Sequence, residues 1–170
     1  PDGTRIDSLP NSRPGPVNPI AALALRRRAP VSGSVVLTGK ELAAEDPGLA
    51  ERARIQLLPT ARAAPRPDTE ETAGLAICAA VPLFFEDAPP SILYGGILLS
   101  RNEEIVDRIR DTVFRQEAYG GQLIGTATIF FQDLRIATNV RTADGARAIG
   151  TRVSAEVRQK VLDGGERWSD

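Results

Sequence analysis

The sequence predicts an α+β fold in which helices flank an antiparallel sheet, and three stretches carry that reading. Two apolar runs, "LAICAAVPLF" and "SILYGGILLS", are separated by the turn-forming "FEDAPP" and read as a pair of buried antiparallel strands over 71–84 and 91–100. Directly after them, "SRNEEIVDRIRDTVF" has helical spacing. It sets Ile105, Ile109 and Val113 on one face with Val106 beside them, Glu104 in position to pair with Arg108, and a Ser100–Glu103 capping box at its start. Finally, "GTATIFFQDLRIATNV" reads as a hairpin whose two apolar strands turn at Gln132-Asp133.

The remaining elements follow in chain order. "PDGTRIDSL" opens with a Pro-Asp-Gly turn and reads as the second arm of a hairpin whose first arm would lie upstream. In "VNPIAALALRRRAP" Asn18 caps a helix, Pro19 takes its first position, Ile20, Leu23 and Ala24 share a face, and Pro30 stops it. Short helices follow in "TGKELAAEDPGLAERARI", from the Thr38–Glu41 capping box and a second start at Asp46-Pro47. The stretch 59–74 is rich in Pro, Thr and charge, without periodicity, and reads as a loop. Gly95 and Gly96 weaken a strand, so another backbone is expected to approach there. Past the hairpin, "RTADGARAIGTR" turns at Asp144-Gly145, and "VSAEVRQKVLDGG" is a helix capped by Ser154 that buries Val157 and Val161 and ends at Gly164-Gly165.

Composition excludes several classes of function. With 170 residues, 42% hydrophobic and 25% charged, the chain can bury a real core. Its net charge of −1 is spread evenly. The one dense basic spot, Arg26 to Arg28, lacks interleaved aromatic residues and does not argue for nucleic acid; it reads as a solvated helix end. There is no His, which removes imidazole bases and His-metal clusters, and neither cofactor nor metal is expected. The single Cys78 sits in an apolar run without a nearby base and reads as a small buried hydrophobe. No stretch of about 18 apolar residues is present. With Met also absent, a piece of a longer protein is expected, with any membrane segment outside it.

"ILYGGILLSRNEEIVDRIRDTVF" and "GTATIFFQDLRIATNVRTADGARAIGTRVSAEV" resemble the Cache family, PAS-like sensor domains outside the cytoplasmic membrane in bacterial chemoreceptors and sensor histidine kinases. The resemblance extends back through "PVSGSVVL", "AERARIQLLPT" and "EETAGLAICAAVP", and looks like the subgroup that fuses two modules. It implies a first module over 1–100, then a connecting helix and the start of a second module over 101–170. It also implies an antiparallel sheet with helices and loops over one face, a small-molecule pocket between them, and a long upstream helix on the other face. That helix would give Gly95 and Gly96 their reason. The family continues past the tryptophan matching Trp168 into further strands, so the second sheet is expected to be incomplete. By resemblance, the location is the periplasmic or extracellular side of the inner membrane, the intact receptor is a homodimer, and the output is a chemoreceptor or a histidine kinase.

Polar groups on the expected strands raise the question of a pocket. Leu134, Ile136, Thr138 and Val140 fall on one face of "LRIATNV", with Arg135, Ala137 and Asn139 on the other. A half-exposed strand would show this pattern without function; a covered Arg would need an anionic partner, and a carboxylate fits a guanidinium fork. In the first module, Arg54, Thr60, Arg62 and Arg66 come from the segment expected to lie over the sheet, and Tyr94 projects from the strand beneath. A small organic anion, acetate or another short carboxylate, is expected under the loop from Arg54 to Arg66, touching Tyr94 and at least one of those Arg residues. Arg135, Thr138 and Asn139 would then mainly shape the second module. The expected function is sensing without chemistry. The alternatives are a small hydrolase using carboxylates of "EDAPP", "DTEET" and "RNEE", or a purely dimerising module.

Overall fold

The structure, a computed structural model, describes residues 18–87, 89–115, 117–120 and 122–169, with the backbone alone at 122 and 123. The hairpin arm expected in "PDGTRIDSL" lies outside these residues. Helix α1 (Pro19–Arg27) starts where Asn18 Oδ1 accepts the Ile20 N–H at 3.0 Å, and ends in the left-handed Arg28. Strand β1 (Val31–Leu37) follows. Helix α2 (Gly39–Glu45) begins in the expected capping box: Thr38 Oγ1 accepts from Glu41 N at 3.3 Å and Glu41 Oε2 accepts from Thr38 N at 2.7 Å. Helix α3 (Pro47–Ala53) restarts at Asp46, whose Oδ1 accepts from Gly48 N at 2.6 Å. Two short strands, β2 (Ile55–Gln56) and β3 (Glu70–Glu71), pair and close the loop 57–69.

Strands β4 (Gly74–Leu83) and β5 (Ser91–Leu98) are antiparallel neighbours, with Ala76 opposite Leu98 and Leu83 opposite Ser91. Strand β1 joins the other edge of β4, giving the order β1-β4-β5. One face of this sheet is buried: Ala76, Cys78, Ala80 and Leu98 pack against Ile20, Ala21 and Ala24 of α1, Leu42 of α2 and Ala53 of α3. Small side chains let the helices approach closely. A methyl group on Gly74 would stand 2.7 Å from Leu98 Cδ1 and 2.9 Å from Leu42 Cδ1. At Gly96 the close neighbour is Cys78 of the adjacent strand, 2.6 Å away at Sγ, whereas Gly95 has nothing within 4 Å. The close approach expected of both glycines therefore holds at Gly96 alone, and strand-to-strand.

The two apolar runs are buried on one face only. On the other, Val36, Ile77, Val81, Leu93 and Ile97 are open to solvent, Leu93 and Ile97 by 59% and 56%. No described residue covers them.

Helix α4 (Glu103–Phe114) departs from β5 as expected, but its start differs. Asn102 is the cap, its Oδ1 accepting from Ile105 N at 3.2 Å. Ser100 is fully buried and its hydroxyl has no partner among the described residues. The reason is tertiary: Arg101 takes a left-handed φ of 54° and gives its N–H to Ile136 O at 2.8 Å, which delays the helix. The buried α4 residue is Val106, while Ile109 and Val113 are 45% and 64% exposed. After it come β6 (Ala118–Tyr119) and β7 (Gln122–Leu123), then the predicted hairpin of β8 (Thr128–Phe131) and β9 (Leu134–Thr138). The last helix, α5 (Ala155–Arg158), is capped by Ser154 and widens into a π turn over Gln159–Asp163. Val157 and Val161, expected to be buried, are half-exposed, because the helix packs on little else.

A second core unites Ile55, Leu99, Leu134 and Ile136, flanked by Leu57, Leu75, Ile105, Ile129, Phe131 and Ile149. Residues before and after position 100 thus share one apolar interior.

Candidate functional site

The site is built on the β8–β9 hairpin. Phe131 lies opposite Leu134 and Phe130 opposite Arg135, and between Ile129 and Phe130 the register slips. Such a bulge twists the strand and re-aims side chains. The outer edge of β9 is covered by the segment 150–153: Arg135 N donates to Thr151 O at 2.9 Å, Gly150 N to Arg135 O at 3.0 Å, and Val153 N to Asp133 O at 2.9 Å. From its far side the same segment holds the loop after β2. Leu58 N donates to Gly150 O at 2.9 Å, Ala155 N to Arg62 O at 2.7 Å, and Arg152 N to Thr60 Oγ1 at 3.1 Å.

Arg135 is half-buried in this frame. Its Nη1 donates to Thr151 Oγ1 at 3.0 Å, its guanidinium lies 5.4 Å from the centre of the Phe130 ring, and its Nε is enclosed without an acceptor among the described residues. No carboxylate pairs with it among the described residues, and burial lowers its pKa from the ordinary Arg value with nothing to offset the loss of water. The other enclosed Arg side chains are satisfied. Arg152 grips Asp133 at 2.7 Å, Arg147 grips Asp107 at 2.7 Å and Glu103 at 3.0 Å, and Arg66 grips Asp68 and Glu71 at 2.9 Å each. The site thus joins a planar cation whose Nε lacks a partner among the described residues, an aromatic wall and a hydroxyl, the kinds of group that can pair with a small anion.

Of the residues expected at a site, the structure brings Thr60, Arg62 and Arg135 to the segment 150–155. Arg62 is exposed and left-handed at φ 64°. Arg54 caps α3, and its carbonyl accepts from Arg101 Nη2 at 3.2 Å. Arg66 is locked in its own ion pairs on the loop. Tyr94 turns away to α2, giving its hydroxyl to Glu45 Oε1 at 2.5 Å; burial first, then the carboxylate, pushes its pKa up to about 12. Thr138 is fully buried, its Oγ1 2.6 Å from Thr128 Oγ1, 3.3 Å from Ala127 O and 3.0 Å from Val140 N, and Asn139 Oδ1 accepts from Ala127 N at 2.8 Å. Both serve the hairpin itself. Phe130 and Thr151 were missed from sequence: a bulge sets the first opposite Arg135, and a long connection returns the second.

Several acids offered for hydrolytic chemistry are engaged elsewhere: Glu71 with Arg66, Glu103 with Arg147, Glu104 with Arg108 at 2.6 Å, and Glu70 with the Gln56 amide at 2.8 Å. Among the described residues there is no cluster able to hold a metal ion and no helix long and apolar enough to cross a membrane.

A mixed α+β chain of antiparallel strands and helices is consistent with a PAS-like fold. Residues 97–170, which contain α4, the hairpin and Arg135, match the family model described as single cache domain 3, and this match supports a Cache sensor domain. Cache domains are typically extracellular ligand-sensing modules of signal transducers and are generally not enzymes. No curated protein and no solved structure matches the chain.

Proposed function

We propose that this chain is the ligand-sensing part of a transmembrane signal transducer, a chemoreceptor or sensor histidine kinase, placed on the periplasmic side of the membrane and homodimeric in the intact receptor. Residues 1–100 and 101–170 form two fused PAS-like modules, and the ligand is a small organic anion such as acetate or another short carboxylate. The observation that carries this reading is the enclosed, unpartnered Nε of Arg135 within the stretch that matches the Cache family. Once the groups over Nε move aside, a carboxylate would take Nε and one Nη through two parallel hydrogen bonds, with its apolar end against Phe130.

The same hydrogen bonds would link a change at Arg135 to α4. Ile136, next to Arg135, holds the backbone of Arg101 at the start of α4, and Arg147 ties the return loop to Asp107 and Glu103 on that helix. A ligand that prefers one position of β9 therefore biases the position of α4, by as much as its affinity differs between the two states.

Calorimetric titration of the purified chain with acetate, propionate and lactate tests this. Arg135→Ala is expected to weaken binding about ten- to a hundredfold, the range of a charge-assisted hydrogen bond, with Arg135→Lys intermediate and Tyr94→Phe unchanged. Wild-type affinity in Arg135→Ala, or no binding of any short carboxylate, overturns the reading.

A further inference from the structure

A second cationic feature lies apart from Arg135. Between α3 and the turn into α4 runs an open groove of about 610 Å³, lined by Gly48, Glu51, Arg52, Arg54, Gln56 and Arg101. Three arginines and one glutamate are among its lining residues, a net formal charge of +2. The carbonyl end of α3 draws Arg52 and Arg54 to this place. Arg101 arrives from a distant element and is positioned: its backbone is held left-handed at φ 54°, a conformation that costs energy in a non-glycine residue, and its Nη2 is fixed on Arg54 O at 3.2 Å. Among the described residues none of the three, all exposed, makes an ion pair. Three like charges around one groove, with Glu51 as the one carboxylate among its lining, raise the local affinity for an added anion.

We propose that this groove is a binding site for a doubly charged phosphate group, bridging α3 and the start of α4. The charge of a phosphate dianion matches the +2 of the lining. Its tetrahedral oxygens also point in several directions, as three guanidinium groups from the last turn of α3, its cap and the 100–102 turn require, whereas a carboxylate offers only two coplanar oxygens. The phosphate has two chemical sources, a soluble phosphate or phosphomonoester, and the headgroup of an anionic lipid.

The experiment has two arms on the whole chain. In the first, inorganic phosphate is titrated calorimetrically at ionic strength held constant with sodium chloride. In the second, the chain is sedimented with phosphatidylcholine vesicles with and without phosphatidic acid. Saturable binding in the first arm assigns a soluble ligand, and vesicle capture alone assigns the headgroup. In whichever arm binds, Arg54→Gln and Arg101→Lys are expected to weaken it about tenfold or more, while Arg27→Gln, exposed at the end of α1, leaves it within about twofold. Arg54→Gln carries the test should Arg101→Lys disturb the turn, because the Arg54 side chain is exposed and only its carbonyl is bonded. Absence of binding in both arms, or equal losses in Arg27→Gln, overturns the proposal.

Discussion

Arg152 closes on Asp133 through Nε at 3.0 Å and Nη2 at 2.7 Å, both to Oδ2, with the two side chains only 10% and 5% exposed. This ion pair sits at the tip of the β8–β9 hairpin, where Gln132 turns at φ 53°. It locks the turn to the segment that also carries Thr151. Breaking one side leaves a charge uncompensated in the interior, so Asp133→Ala is expected to lower stability by about 3–5 kcal/mol, read by chemical denaturation. An Asp133→Leu/Arg152→Met double variant should recover part of that loss. A loss in Asp133→Ala below about 1 kcal/mol, the scale of a surface pair, would show that the pair is solvated.

Gly150 holds the contact between the two halves of the chain. Its φ is +91°, and a Cβ there would lie 2.4 Å from Gln56 O, a backbone atom that cannot swing aside. Gly150→Ala therefore combines a left-handed penalty of about 1–2 kcal/mol with a displaced loop. Denaturation should show a loss of about 2 kcal/mol or more, and proteolysis should quicken within 57–69. Unchanged stability would mean that the loop is not held there.

Asp107 gives the acid limb of stability. The Arg147 hydrogen bond, more than any other influence, holds its carboxyl below the usual Asp range. A depressed folded-state pKa contributes stability that is present above the unfolded value of about 3.9 and is lost as pH falls through the folded value. Melting temperature plotted against pH should therefore fall below about pH 4, with a shallower slope in Asp107→Asn. An identical acid limb in that variant would assign the effect to other carboxylates.

Tyr94 should report its environment directly. In a Tyr119→Phe background the remaining phenol is expected to ionise with a midpoint near 12, followed by phenolate absorbance. The raised value means that its contribution is present below the unfolded value of about 10 and is lost as pH rises through about 12. Glu45→Gln should bring the midpoint down; a midpoint that stays in place would leave burial as the whole cause.

What could be read from the sequence was local. The starts at Asn18-Pro19, Thr38 and Asp46-Pro47 are set by groups within three residues of one another, and each forms as its spacing dictates. The Ser100–Glu103 box has the same spacing and fails, because Ile136, far along the chain, claims the Arg101 N–H. The run "LAICAAVPLF" is apolar on both faces, so alternation could not mark the exposed one. The site was least legible. Arg135 was recognised by residue type, but Phe130 faces it through a register slip and Thr151 reaches it from 16 residues away. Tyr94 finds Glu45 across 49 residues, which removed it from the loop where it was expected.

The open face of the β1-β4-β5 sheet has a consequence for handling the molecule. Among the described residues Val36, Ile77, Val81, Leu93 and Ile97 form an uncovered apolar surface. Fluorescent dyes such as ANS, whose binding is usually taken to mark a molten globule, should light up on the native chain. Cooperative unfolding should dim that signal rather than raise it, so dye-based melting curves would run inverted, and folding is better followed by circular dichroism.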